Sequence, residues 1–266
     1  MKPKALVLQA HGSNRDFDVM NALELAGAEA VGVPLNELRM KKTLLSTFQL
    51  LIVPGGFSYA DALGAGKLLA IDLASYFAEE ISAFVDAGKP VIGICNGFQA
   101  LVKSGILPGT SPSPLAPLPK GEGNVTLTFN AEGHFECRWV NLKPISQKCV
   151  WTKGLDELIT CPIAHGEGNF QTNELFPLSS FIEQDQIALG YVHSDGSPAN
   201  SDYPANPNGS MMDIAGICNP QGNVLGLMPH PENHIFGYQH PRHTRGEKGN
   251  SGLSLFQNGV KYANGL

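Results

Sequence analysis

The chain has 266 residues, 42% of them hydrophobic and 16% charged, with a formal net charge of −6. That is enough apolar content for one substantial core, and the acidic balance excludes a basic nucleic-acid-binding face. No apolar run approaches the ~20 residues that span a bilayer, so neither nucleic acid nor membrane is expected as a partner.

Ala5-Leu6-Val7-Leu8 is a short continuous apolar run, the pattern of a strand covered on both faces. Asp16 to Ala26 reads as a helix with apolar Val19, Met20, Leu23 and Leu25, stopped at Gly27. Ala30 to Val33 is a second strand, and Phe48 to Val53 a third, ended by Pro54-Gly55-Gly56. Asp61 to Phe77 and Glu79 to Ala87 are expected to be helical, with Gly88 breaking the second. The apolar run Lys89 to Ile94 is the fourth strand. This β-α-β alternation predicts an α/β fold, an open, mostly parallel sheet with helices on both faces. Ligands of such sheets sit at the carboxyl ends of the strands, where the Gly55-Gly56 turn and the residues after Ile94 both fall.

The pattern changes after Leu107. Five prolines, Pro108, Pro112, Pro114, Pro117 and Pro119, leave no room for regular structure before Gly123. Val125 to Phe129 and Phe135 to Leu142 alternate, and are expected to pair as an added β-hairpin. Ile159 to Ala164, Ile187 to Tyr191, Ile214 to Cys218 and Val224 to Met228 are further strands, and Tyr203 to Ser210 is a loop of turn residues. No repeat or compositional break divides the chain, so 1–266 reads as a single domain.

The chemistry concentrates at Gly93-Ile94-Cys95-Asn96-Gly97, a small-x-nucleophile-x-small elbow with sulfur in place of a serine oxygen. An apolar strand precedes it, and Phe98-Gln99-Ala100-Leu101-Val102 reads as a helix after it. The helix N-terminus behind the sulfur favours thiolate over thiol, so Cys95 is read as a nucleophile rather than a buried packing residue. Among eight histidines, His230 is the best-placed base: it follows the last strand, and Glu232 lies two residues on to hold its tautomer. Backbone N–H groups of Gly56 and Phe57, and of Asn96 after the nucleophile, are candidate oxyanion donors. On local sequence the two glycines equally suit a plain tight turn. The five cysteines are odd in number and form no CxxC pair, which suits free thiols in a cytoplasmic setting. No secretion signal is expected at the N-terminus, so the tripeptides starting at Asn124 and Asn208 are read as chance matches to a glycosylation site. His240 and His243 have no cysteine or carboxylate cluster around them, and no metal site is expected.

Pro54-Gly55-Gly56-Phe57-Ser58-Tyr59, the Cys95 elbow and Pro229-His230-Pro231-Glu232 together resemble the triad-type glutamine amidotransferases. The resemblance is closer to the glutaminase component of phosphoribosylformylglycinamidine synthase. It is carried further by Leu23 to Glu29, Pro162 to Gly168, Tyr203 to Ser210 and Asp213 to Asn219, and it spans nearly the whole chain. It implies that Cys95 attacks the amide of glutamine, with Gln99 and the His165-Gly166-Glu167 loop binding that substrate. It also implies a separate synthetase subunit, using ATP and magnesium to consume the ammonia, and a small accessory subunit. Gly66-Lys67 fails as a phosphate loop, because Asp61 and Leu68 stand where glycine and Ser or Thr belong. No cofactor is therefore expected on this chain. Three positions depart from the family pattern: Arg15 stands where cysteine is common, Ala60 where glycine is, and Gly64 where arginine is. The tail from His240 to Glu247, which resembles the glutaminase end of long single-chain relatives, is read as a docking element in preference to a solvated basic surface. Rival readings are an amidotransferase subunit serving another acceptor and a non-catalytic scaffold relative; the intact Cys95, His230 and Glu232 argue against the scaffold.

Overall fold

The structure, a computed structural model, describes residues 2–109, 125–174 and 177–266. The first half alternates β1 (Lys4–Gln9), α1 (Asp16–Leu25), β2 (Glu29–Pro34), α2 (Leu35–Met40), β3 (Leu50–Val53), α3 (Lys67–Tyr76), α4 (Ala78–Asp86), β4 (Val91–Ile94) and α5 (Asn96–Lys103). The second half adds β5 (Val125–Phe129), β6 (Glu136–Pro144), β7 (Ile159–His165), β8 (Glu167–Thr172), α6 (Leu178–Glu183), β9 (Ile187–Val192), β10 (Ile214–Cys218), β11 (Val224–Leu227) and α7 (Leu253–Ala263).

Nine strands form one sheet in the order β2-β1-β3-β4-β11-β10-β9-β6-β7. The half from β2 to β11 is parallel. The half beyond it is antiparallel. β3, β4 and β11 are buried at every residue, as central strands covered on both faces must be. α1 packs against α7, and α3 against α5. The parallel direction brings the carboxyl ends of β3, β4 and β11 to one edge.

The antiparallel half matters for what covers that edge. Four strands separate β7 from β4 in the sheet order, yet the Ala164 carbonyl lies 3.8 Å from Cys95 Sγ. The sheet therefore curls until its last strand stands over the carboxyl end of β4. The outer edge of β7 is not left bare. His230 N–H donates to Pro162 O at 2.8 Å, and Ser251 Oγ bonds both the N–H and the carbonyl of Thr160.

Two expectations from sequence need correction. Val125–Phe129 and Phe135–Leu142 are strand-forming, but they do not pair with each other. β5 pairs with β8 in a separate two-stranded sheet, while β6 joins the main sheet between β9 and β7. The cause lies at Asn130, just after β5, which is bound to the carbonyls of His165 and Gly166 and so delivers β5 to the strand following that corner. The helix expected from Asp61 begins at Lys67 instead. Tyr59, Ala60, Asp61 and Leu63 all have left-handed backbone, which an α-helix cannot contain. Of the proline loop, Pro112, Pro114, Pro117 and Pro119 lie outside the described residues, as does Asn124. Asn208 is fully buried and donates to Gly168 O and Tyr191 Oη, so it is a structural residue.

Candidate active site

Cys95 sits between β4 and α5 with φ 51° and ψ −106°, a conformation that costs a side-chain-bearing residue ~1–3 kcal/mol. Neighbouring bonds hold it there: its N–H donates to Leu227 O at 2.8 Å, and its carbonyl accepts Gln99 N–H at 3.0 Å. The corner closes only because position 97 is glycine. A Cβ there would stand 1.9 Å from Val53 O. The same close packing operates at Gly55, where a Cβ would meet His230 Cε1 at 2.8 Å.

His230 follows β11 and is nearly buried, and its Nδ1 lies 2.7 Å from Glu232 Oε1. Burial by itself pushes the imidazole toward neutrality. The Glu232 carboxylate and the Cys95 sulfur outweigh burial and push its pKa up to about 10. His165 goes the other way. Burial, reinforced by the nearby His230, pushes it down to about 3, and its ring partner is the neutral Asn130 Oδ1 at 3.1 Å. Two buried histidines are thus driven apart: His230 is held as the cation and His165 as the neutral ring.

A cavity of about 200 Å3 opens on Cys95. Gly56, Phe57, Gln99, His165, Gly166 and Glu167, all singled out from sequence, line it. Asn96, His230 and Glu232 are buried outside its lining. Gln99 Nε2 donates to Glu167 O at 2.5 Å, and Asn96 Nδ2 donates to Gln99 Oε1 at 3.1 Å and to Asp61 Oδ1 at 2.7 Å. Of the expected oxyanion donors, Phe57 N–H is engaged elsewhere, donating to Gly12 O at 3.0 Å, and Gly56 bridges Ser13.

Sequence reasoning missed Asp61, Ala65, Phe129, Phe135 and Ala164 in the lining. It also missed Asn130. The Asn130 amide donates to His165 O and His134 O and accepts Gly168 N–H, fixing the His165–Gly168 corner. The turn residues Asn208 and Ser210 add bonds to Gly168 O. A helical spacing of three and four residues, Asn96, Gln99 and Lys103, was the one legible signal for a polar face on α5. At the departures, Arg15 pairs with Asp18 at 3.2 Å, and Ala60 takes the left-handed backbone that favours glycine. The missing Cβ of Gly64 points to within 3.9 Å of Lys103 Nζ.

Comparison with known proteins agrees with this fold. The CobB/CobQ-like glutamine amidotransferase domain matches residues 2–263, so the fold is that of a glutamine amidotransferase. A phosphoribosylformylglycinamidine synthase subunit PurQ from Treponema denticola is 54% identical over 98% of this chain and 99% of its own length. The PurQ subunit of Dehalococcoides mccartyi is 45% identical over 98% of each chain. A chain in the solved structure of PurLQS from Thermotoga maritima superimposes with a TM-score of 0.73 at 32% identity, covering 98% of this chain and 99% of that one. Within the amidotransferase class, the chain belongs to the PurQ family. A glutamine amidotransferase from Thermotoga maritima at 15% identity and TM-score 0.53 shares the fold.

Proposed function

We propose that this chain is the glutaminase subunit of a phosphoribosylformylglycinamidine synthase. Cys95, His230 and Glu232 are its catalytic residues, and Gln99 with the His165-Gly166-Glu167 corner holds the glutamine. The observation that carries the reading is the buried 2.7 Å His230–Glu232 pair behind a cysteine on a strained corner that opens into a cavity. The Cys95 thiolate attacks the side-chain carbonyl carbon of glutamine, and the oxygen takes the negative charge. Collapse of that intermediate breaks the C–N bond, and the His230 imidazolium gives its proton to the departing ammonia. The neutral His230 then takes a proton from water, which attacks the glutamyl thioester and releases glutamate and the Cys95 thiolate. Glu232 keeps the Nδ1 proton of His230 in place throughout.

Ammonia passes to a separate synthetase subunit, where ATP and magnesium drive formation of the amidine in purine biosynthesis, with a small accessory subunit completing the assembly. The Thermotoga relative belongs to a solved structure named PurLQS, which supports an assembly with further subunits. The five cysteines are free, which supports a cytoplasmic setting.

The test is glutamine hydrolysis by the complex of this chain with its synthetase. Cys95→Ala abolishes glutamine-dependent synthesis and leaves ammonia-dependent synthesis intact, because ammonia bypasses this chain. Substantial hydrolysis by the Cys95→Ala complex would overturn the assignment.

A further inference from the structure

Lys103 is the last residue of α5, and the proposed chemistry does not use it. Its Nζ donates to Ala65 O at 2.5 Å and stands 3.5 Å from Glu167 Oε2, with both side chains only about one-quarter exposed, at 24% and 22%. Ala65 and Glu167 line the glutamine cavity from different segments, Ala65 from the turn before α3 and Glu167 from the start of β8. The direct bond between them, Ala65 N–H to Glu167 Oε1, is long at 3.4 Å. The same face of α5 carries Gln99, bonded to Glu167 O, and Asn96, bonded to Asp61 Oδ1. The helix that follows the nucleophile thus holds both wall segments, and Lys103 is its cationic member.

We propose that Lys103 is a positioning residue for the substrate: its ammonium ties Ala65 to Glu167 and keeps the two walls at the spacing that fits glutamine. The inference rests on the glutaminase reading. Charge supplies the reason a lysine is needed. Burial pushes the Asp61 carboxyl up and the neighbouring Glu167 carboxylate pushes the same way; hydrogen bonds from Gly66 N–H and Asn96 Nδ2 hold it down, and Lys103 adds a smaller pull in that direction. Without the ammonium, two like charges face each other across the cavity and the wall loosens. Glutamine must then order the wall as it binds, which weakens ground-state and transition-state binding alike.

The test uses the complex with the synthetase and compares K103M, K103R, E167Q and K103M/E167Q by steady-state glutamine hydrolysis. K103M is expected to raise KM about tenfold, the scale of one hydrogen bond to a charged group, with a smaller change in kcat. K103R is expected to recover most of that loss. The double variant is expected to be no worse than E167Q alone, because both changes break one contact. Ammonia-supported synthesis and the melting temperature of K103M are expected to match wild type. An unchanged KM in K103M, additive losses in the double variant, or a K103R no better than K103M would each overturn the role of Lys103. An inactive wild-type complex would instead overturn the glutaminase reading beneath it.

Discussion

In the proposed chemistry His230 and Glu232 divide one task. The imidazole would change protonation in both half-reactions, while the Glu232 carboxylate, 2.7 Å from its Nδ1, raises its proton affinity. His230→Ala is therefore expected to lower glutamine-dependent kcat by roughly 10²-fold or more, the usual scale for a lost acid–base group. Glu232→Gln keeps the shape and removes the charge. Its effect has a definite sign: losing the carboxylate lowers the pKa of His230 below its wild-type value of about 10, so the imidazolium is lost at lower pH. The alkaline limb of kcat/KM should move toward neutrality, and a pH profile of the variant measures it. A limb that stays in place would separate Glu232 from His230 in solution.

The elbow and the Gly55–Tyr59 turn are the elements on which the site depends. Gly97→Ala places a methyl 1.9 Å from Val53 O, so β3 and α5 must separate. Overpacking of this kind costs ~1–3 kcal/mol, and a lowered urea midpoint with unchanged slope is expected. The neighbouring turn bears on activity. Phe57 N–H is given to Gly12 O and not to the cavity, so an oxyanion hole that includes it requires the turn to reorient. Glycine at 55 and 56 makes that reorientation sterically inexpensive. The isolated chain is therefore expected to hydrolyse glutamine slowly, and the synthetase with nucleotide and acceptor to accelerate it by favouring the reoriented turn. Full turnover by the isolated chain would mean that no such step limits it.

At the scale of the whole molecule, the curl of the sheet buries β7 against the site and with it His165 as a neutral ring. That burial has a consequence for stability. The unfolded chain protonates this histidine below the usual pKa of about 6.5, whereas the folded chain resists until about 3. Stability from this group is whole above about pH 6.5 and is lost as pH falls toward 3. His165→Gln is expected to flatten the acid side of a denaturation profile, measured by urea unfolding at stepped pH. An acid limb of equal slope in the variant would remove His165 as the cause.

The sequence by itself determined the local geometry around Cys95 and His230. The glycine-flanked Cys95, the His230-Pro231-Glu232 step and the buried apolar strands were legible because each depends on neighbours within a few residues. The parallel half of the sheet followed from alternating strands and helices, since a parallel connection needs a crossover. Strand partners in the second half were not legible: β5 and β6 have the pattern of a hairpin, but Asn130 fixes the end of β5 to a corner more than thirty residues away. Nor could local pattern show that Phe57 N–H is committed to Gly12, or that Lys103 and Asn130 brace the cavity. Such contacts join segments far apart in the chain. Pairing of β1 with β3 brings Gly12 to Phe57, packing of α3 on α5 brings Ala65 to Lys103, and the curl of the sheet, driven by burial of its own faces and edge, brings the His165–Glu167 corner over α5.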